Sequence, residues 1–239
     1  MVARGDNRQL AAILFDLDDT LCDYSAARAT RLNIAFSLAI EHARTTTAVD
    51  LGQLINESIA IHPHGVDHFE QVLARHGVSA PGAAQVAIDW YRSNRFYGLR
   101  LFPEAAAVVG AVRQRAVNGE ARAIGVVTNG PAEVQRAKIE LLAVDDFVDF
   151  AVISGEFGVE KPNPAIFAEA LRRAGVAPEA ALVVGDSLEF DIAGASGSGI
   201  RSVWVNPRRS RPPSGAPEPS YQIASLGDLP DLVSRIDAE

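Results

Sequence analysis

The chain has 239 residues, with 22 Lys and Arg against 30 Asp and Glu, giving a formal net charge of −8 at pH 7. That balance argues against a surface for nucleic acid polymers, which draws on clustered cations, and no stretch approaches the ~18 to 20 apolar residues of a membrane span. With 48% apolar residues and one cysteine, Cys22, the chain is expected to be a disulfide-free cytoplasmic protein of one large or two smaller domains.

AAILFD, ending at Asp16, reads as a buried strand because its apolar run does not alternate with polar residues. It finishes in three carboxylates, Asp16, Asp18 and Asp19, within four positions. Their mutual repulsion calls for a compensating cation or hydrogen-bond donors. From Leu21 to about Phe102 no comparable strand follows, and YSAARATRLNIAFSLAIEHA spaces its apolar residues at three and four, so a helical insert is predicted. Within the insert, IHPHGVDHF groups His62, His64 and His68, expected as surface histidines, or as a loop touching substrate, before a metal site. WYRSNRFYGLR interleaves aromatics with Arg92, Arg95 and Arg100, which suits either a grip on a second anionic group or the wet face of an amphipathic helix. The chain is expected back in the sheet near Pro103.

AIGVVTNG, FAVISG, ALVVGDS and RSVWVN continue the first pattern, each followed by small or polar residues and most by a helix-like run. The expected fold is an α/β, Rossmann-like, doubly wound parallel sheet with an inserted α-helical cap domain. Residues 1–21 and 103–239 would form the core and 22–102 the cap. Ligands of such sheets sit beyond the carboxyl ends of the strands. Here those ends carry Asp16 and Asp18, Thr128 and Asn129, Ser154, then Asp186 and Ser187, with Lys161 and Asp191 able to join them. The Pro-rich, basic NPRRSRPPSGAPEPS reads as a surface loop.

FDLDDT, VVTNG, EKPNP and GDSLEFD follow one another in that order, and through them the chain resembles the haloacid dehalogenase-like phosphohydrolases over nearly its whole length. The resemblance implies Asp16 as the nucleophile of an aspartyl-phosphate intermediate and Asp18 as the general acid and base. It implies phosphate binding by Thr128, Asn129 and Lys161, the lysine also neutralising Asp16. Asp16, Asp186 and the main-chain carbonyl of Asp18 would hold Mg²⁺, which suits an all-oxygen set and a phosphate substrate. Asp191 would act through a metal-bound water or by positioning Lys161, Thr20 would brace the loop, and Asp19 belongs to turn geometry. Phe190 stands where many relatives carry a polar residue.

A helical insert after the first motif would act as a lid and resembles the branch containing N-acylneuraminate-9-phosphatases, nucleotide 5'-monophosphatases and β-phosphoglucomutases. The expected activity is Mg²⁺-dependent hydrolysis of a small phosphorylated metabolite, a nucleotide or sugar phosphate. A phosphomutase is the closest rival, and a catalytically silent binding or regulatory module is the rival from another class. Halide-releasing dehalogenases of this fold lack the second aspartate that Asp18 supplies, since their leaving group needs no proton. The sequence leaves oligomeric state open.

Overall fold

The computed structural model describes residues 10–44, 48–61, 65–114 and 121–238; His62 and His64 lie outside these ranges. In chain order come β1 (Ala12–Phe15), α1 (Tyr24–Ala43), α2 (Leu51–Ile61), α3 (Phe69–Arg75), α4 (Ala83–Ser93), α5 (Ala105–Arg113) and β2 (Ala123–Thr128). Next are α6 (Ala132–Leu141), β3 (Phe150–Ile153), α7 (Ser154–Phe157), α8 (Pro164–Ala174) and β4 (Ala181–Gly185). A π-turn (Leu188–Ile192), α9 (Ala193–Gly197), β5 (Arg201–Val205), β6 (Tyr221–Ile223) and α10 (Leu229–Ile236) complete it.

The strands form one six-stranded sheet in the order β3-β2-β1-β4-β5-β6, every pairing parallel. The strand order reverses beside β1, whose Phe15 pairs with Val126 of β2 on one side and Val184 of β4 on the other. That reversal opens a crevice beyond the strand ends, where no crossover helix fills the space. Asp16 follows β1 and Asp186 follows β4, so the two carboxylates flank the switch point. Leu14, Val127, Val152 and Val183 pack beneath Phe167 and Ile166 of α8, which accounts for the continuous apolar strand runs.

The chain divides into two compact units, Met1–Asp23 with Leu101–Glu239, and Tyr24–Arg100. The second holds α1 to α4. Leu32, Phe36 and Ala39 of α1 recur at helical spacing and pack on Leu54, Phe69, Val72 and Tyr91, giving this unit its own core. Phe69 anchors it, with ring centroids 4.8 Å from Phe36 and 5.4 Å from Tyr91.

Three expectations need correction. The chain does not re-enter the sheet near Pro103: α5 comes first, and β2 starts at Ala123. β6 is a further strand, only three residues long and so without a legible apolar run. His68 is not a surface histidine; it is 5% exposed, its Nε2 lies 2.5 Å from Ser58 Oγ, and its ring meets Phe69 edge-on. Of the aromatic and arginine stretch, Trp90 packs against the core of the helical unit while Arg92 is exposed, 3.9 Å from Asp67.

Candidate active site

The acidic end of β1 is resolved by a tight turn. Asp16 N still bonds Val184 O at 2.9 Å, after which the N–H groups of Leu21 and Cys22 both donate to Leu17 O at 3.0 and 3.1 Å. Asp19 takes the left-handed φ of 61° that closes the turn, a conformation aspartate tolerates better than most residues. Leaving the sheet between Asp16 and Asp18 gives their side chains different surroundings.

Asp16 meets Lys161. The lysine Nζ donates to Asp16 Oδ1 at 2.6 Å and to Asp191 Oδ1 at 2.7 Å, and the lysine is only 4% exposed. Its loop is latched to the end of β2: Asn129 Nδ2 donates to Lys161 O at 3.0 Å, and Lys161 N donates to Asn129 Oδ1 at 2.8 Å. Both ends of the Asn129 carboxamide are therefore engaged in holding the lysine loop. Ser154 does a similar job, its Oγ accepting from Gly130 N at 2.9 Å.

Asp191, 1% exposed, spends its other oxygen on Ser187 N at 3.1 Å. Of the two roles the resemblance implied, this geometry favours the positioning of Lys161. Gly185 ends β4 directly beneath it; a Cβ there would lie 2.3 Å from Asp191 Cγ. Gly185→Ala is therefore expected to displace Asp191, loosen Lys161 and lower both turnover and melting temperature, measured side by side by phosphate release and thermal unfolding.

Asp18 has a separate cation. Lys138 Nζ donates to Asp18 Oδ2 at 2.6 Å, Gln135 Nε2 approaches the same oxygen at 3.3 Å, and the Cys22 thiol donates to Oδ1 at 3.6 Å. Gln135 Nε2 also donates to Thr128 Oγ1 at 2.6 Å, linking the first two motifs. Neither Gln135 nor Lys138 was anticipated. The signal was available: Gln135, Lys138 and Ile139 are the buried positions of α6, and two of those three are polar. Burial of a lysine on an apolar stripe requires an anion in reach.

Oxygens of Asp16, Asp186 and Asp191 lie within 4.8 Å of one another. Burial pushes Asp186 up to about 7, with Asp191 and Asp19 adding to the rise. Burial likewise raises Asp16 well above the usual carboxylate range, against the pull of Lys161. Burial works to lower Lys161, but Asp16 and Asp191 outweigh it, so the ammonium stays charged. One ammonium thus faces three carboxyl groups, so full ionisation of the cluster would leave two negative charges unanswered. An all-oxygen cluster with that deficit fits a divalent hard cation. Trp204 Nε1, donating to Asp186 O at 2.8 Å, fixes the main chain on the β4 side.

A doubly wound sheet gathering a buried lysine and a carboxylate cluster at its switch point defines an α/β enzyme built to handle an anionic group. The family model of the haloacid dehalogenase-like hydrolases matches residues 10–199. The chain belongs to that family and is a hydrolase. Among similar proteins, a glyceraldehyde 3-phosphate phosphatase of Methanopyrus kandleri is 33% identical, the match covering 95% of this chain and 98% of that one. The human N-acylneuraminate-9-phosphatase is 29% identical, covering 97% and 96%. That name is one of those given for the branch that the helical insert after the first motif resembles. A haloacid dehalogenase-type hydrolase of Bacillus subtilis, solved with magnesium, shares the fold with a TM-score of 0.72 at 23% identity, covering 94% of this chain and 99% of that one.

Proposed function

We propose that the chain is a Mg²⁺-dependent phosphomonoester hydrolase of small phosphorylated metabolites, working through an aspartyl-phosphate on Asp16. The observation that carries this reading is the division of cations: Asp16 is paired with Lys161 and Asp18 with Lys138, so two aspartates two residues apart have separate environments. Separate environments are what separate tasks require.

Asp16 attacks phosphorus through its carboxylate oxygen as the ester bond to the leaving oxygen breaks, and Asp18 gives that oxygen a proton. Asp18 then takes a proton from water as the water attacks the aspartyl-phosphate, regenerating Asp16 and releasing phosphate. Lys161 pulls the Asp16 carboxyl toward its ionised form against burial and supplies positive charge to the phosphoryl oxygens. The Thr128 hydroxyl accepts from Gln135, which leaves its own hydrogen for a phosphoryl oxygen. A divalent cation held by Asp16, Asp186 and the carbonyl of Asp18 would add charge neutralisation, the main demand of phosphoryl transfer. The names of the phosphatase relatives support the same substrate class.

A panel of phosphomonoesters assayed with and without Mg²⁺, comparing wild type with Asp16→Asn, tests the reading. Mg²⁺-dependent phosphate release that falls roughly 10⁴-fold or more in the variant is expected. Intramolecular phosphoryl transfer without net release would instead make the chain a phosphomutase, and equal rates in both proteins would remove Asp16 from the chemistry.

The raised Asp186 gives a further expectation. A carboxyl whose folded pKa lies above its unfolded value stabilises the fold at low pH and loses that contribution as pH rises through the folded value. Without divalent cations the melting temperature should therefore fall as pH rises from about 4 to about 7 and level off above it. Added Mg²⁺ should restore more at the higher pH, because it binds the ionised cluster. Differential scanning fluorimetry in EDTA and in Mg²⁺ reads both effects.

A further inference from the structure

Arg31 lies in the second turn of α1, in the helical unit, and is only 3% exposed. Its guanidinium carbon stands 5.5 Å from the ring centroid of Tyr24 and 5.3 Å from that of Tyr91. Ring faces engage a guanidinium as a cation but are at best weak acceptors for its N–H groups. Among the described residues those groups are unanswered: Nε and Nη2 are both sealed from solvent without a hydrogen-bond partner. Buried donors of a charged group are rarely left so, and such a case calls for a missing partner.

The identity of the edge indicates the partner. Nε and Nη2 form the side of the guanidinium that grips a carboxylate with two parallel bonds. The chain uses that edge twice elsewhere. Arg136 holds both oxygens of Glu156 with Nε and Nη2 at 2.5 and 2.6 Å, and Arg172 holds those of Glu169 at 2.7 and 2.8 Å. In Arg31 the same fork is flanked by two tyrosines and has nothing in it. We propose that Arg31 is the centre of a carboxylate-binding site on the helical unit, its Nε–Nη2 edge receiving both oxygens of a small organic acid. Tyr91 is itself fixed, edge-on against Phe69 in the unit's core, so the fork is held ready before the ligand arrives.

The carboxylate belongs either to the phosphorylated substrate, making Arg31 a specificity residue, or to a free organic acid. The first alternative rests on the phosphatase reading; the second does not. Two measurements on the full chain, made for wild type, Arg31→Lys and Arg31→Met, separate them. One compares kcat/KM for matched pairs, O-phosphoserine with O-phosphoethanolamine and phosphoglycerate with glycerol phosphate. The other follows binding of phosphate-free serine and glycerate by calorimetry.

If the substrate carries the carboxylate, wild type prefers the acidic member of a pair, and Arg31→Met reduces that preference by about 10²-fold, as expected for loss of a bidentate charged contact. Arg31→Lys, which keeps charge but loses the fork, restores only part of it. If a free acid is the ligand, its binding disappears in Arg31→Met while the preference ratio does not move. A failure of the phosphatase reading shows as no phosphate release from any compound and leaves the calorimetry intact. The proposal is overturned if neither ratio nor binding differs between wild type and the variants. It is equally overturned if Arg31→Met melts lower and loses activity equally on both members of each pair, the signature of a packing role. Should that variant fail to fold, Arg31→Lys, close in length and equal in charge, decides by the same two readings.

Discussion

Lys161→Met is expected to lower stability by about 3 to 5 kcal/mol and turnover by about 10²- to 10³-fold. The stability loss follows from what remains behind. Asp16 and Asp191 stay buried after the ammonium between them is gone, and removal of one partner from a buried ion pair costs far more than the intact pair contributes. The catalytic loss has the same origin: without the ammonium, burial shifts the Asp16 carboxyl further toward its protonated form, which is no nucleophile, and the phosphoryl oxygens lose a positive charge. Urea unfolding and turnover at saturating Mg²⁺ measure the two effects. Because Asp191 shares the lysine, Asp191→Asn combined with Lys161→Met should cost clearly less than the sum of the single changes. A Lys161→Met protein as stable and as active as wild type would mean that the buried trio is not the centre of the chemistry.

Lys138→Met should act more selectively. Lys138 is 4% exposed and reaches Asp18 Oδ2 at 2.6 Å, so it holds the carboxyl proposed to protonate the leaving oxygen. Proton transfer of this kind contributes roughly 10²- to 10⁴-fold, but only where the leaving group needs a proton. Alkyl phosphates leave as strongly basic alkoxides and need one; nitrophenyl phosphate leaves as a stable phenolate and does not. The variant should therefore lose about 10²-fold or more on an alkyl phosphate and much less on nitrophenyl phosphate. Equal losses on both would assign Lys138 to folding or to general electrostatics and detach it from the acid–base role of Asp18.

The sheet was legible because buried parallel strands must be apolar on both faces, and the five longer runs, from AAILFD to RSVWVN, each form a strand. β6 was not, since three residues of mixed burial carry no periodic signal. Asp16, Lys161 and Asp186 could be read from residue type at strand ends and in the following loop. What the sequence hid was pairing. Two cations serve the acidic cluster, and the second, Lys138, lies 120 residues from Asp18 on a helix that also carries ordinary surface charges. The resemblance implies Asn129 at the phosphoryl group, and what the sequence did not disclose is that its carboxamide also satisfies both an N–H and a C=O of the lysine loop. Arg31 was unremarkable in the sequence for the opposite reason: an arginine on a helix is usually wet, and only burial between two tyrosines sets this one apart.

The central claim is that Asp16 carries the phosphoryl group covalently between two half-reactions. Acid quench of the enzyme during turnover of a substrate radiolabelled in its phosphoryl group tests it directly. Wild type should retain label on the denatured chain, Asp16→Asn should retain none, and the label should map to the peptide containing Ile13 to Leu21. Label on another residue, or turnover by Asp16→Asn at the wild-type rate, would contradict the account.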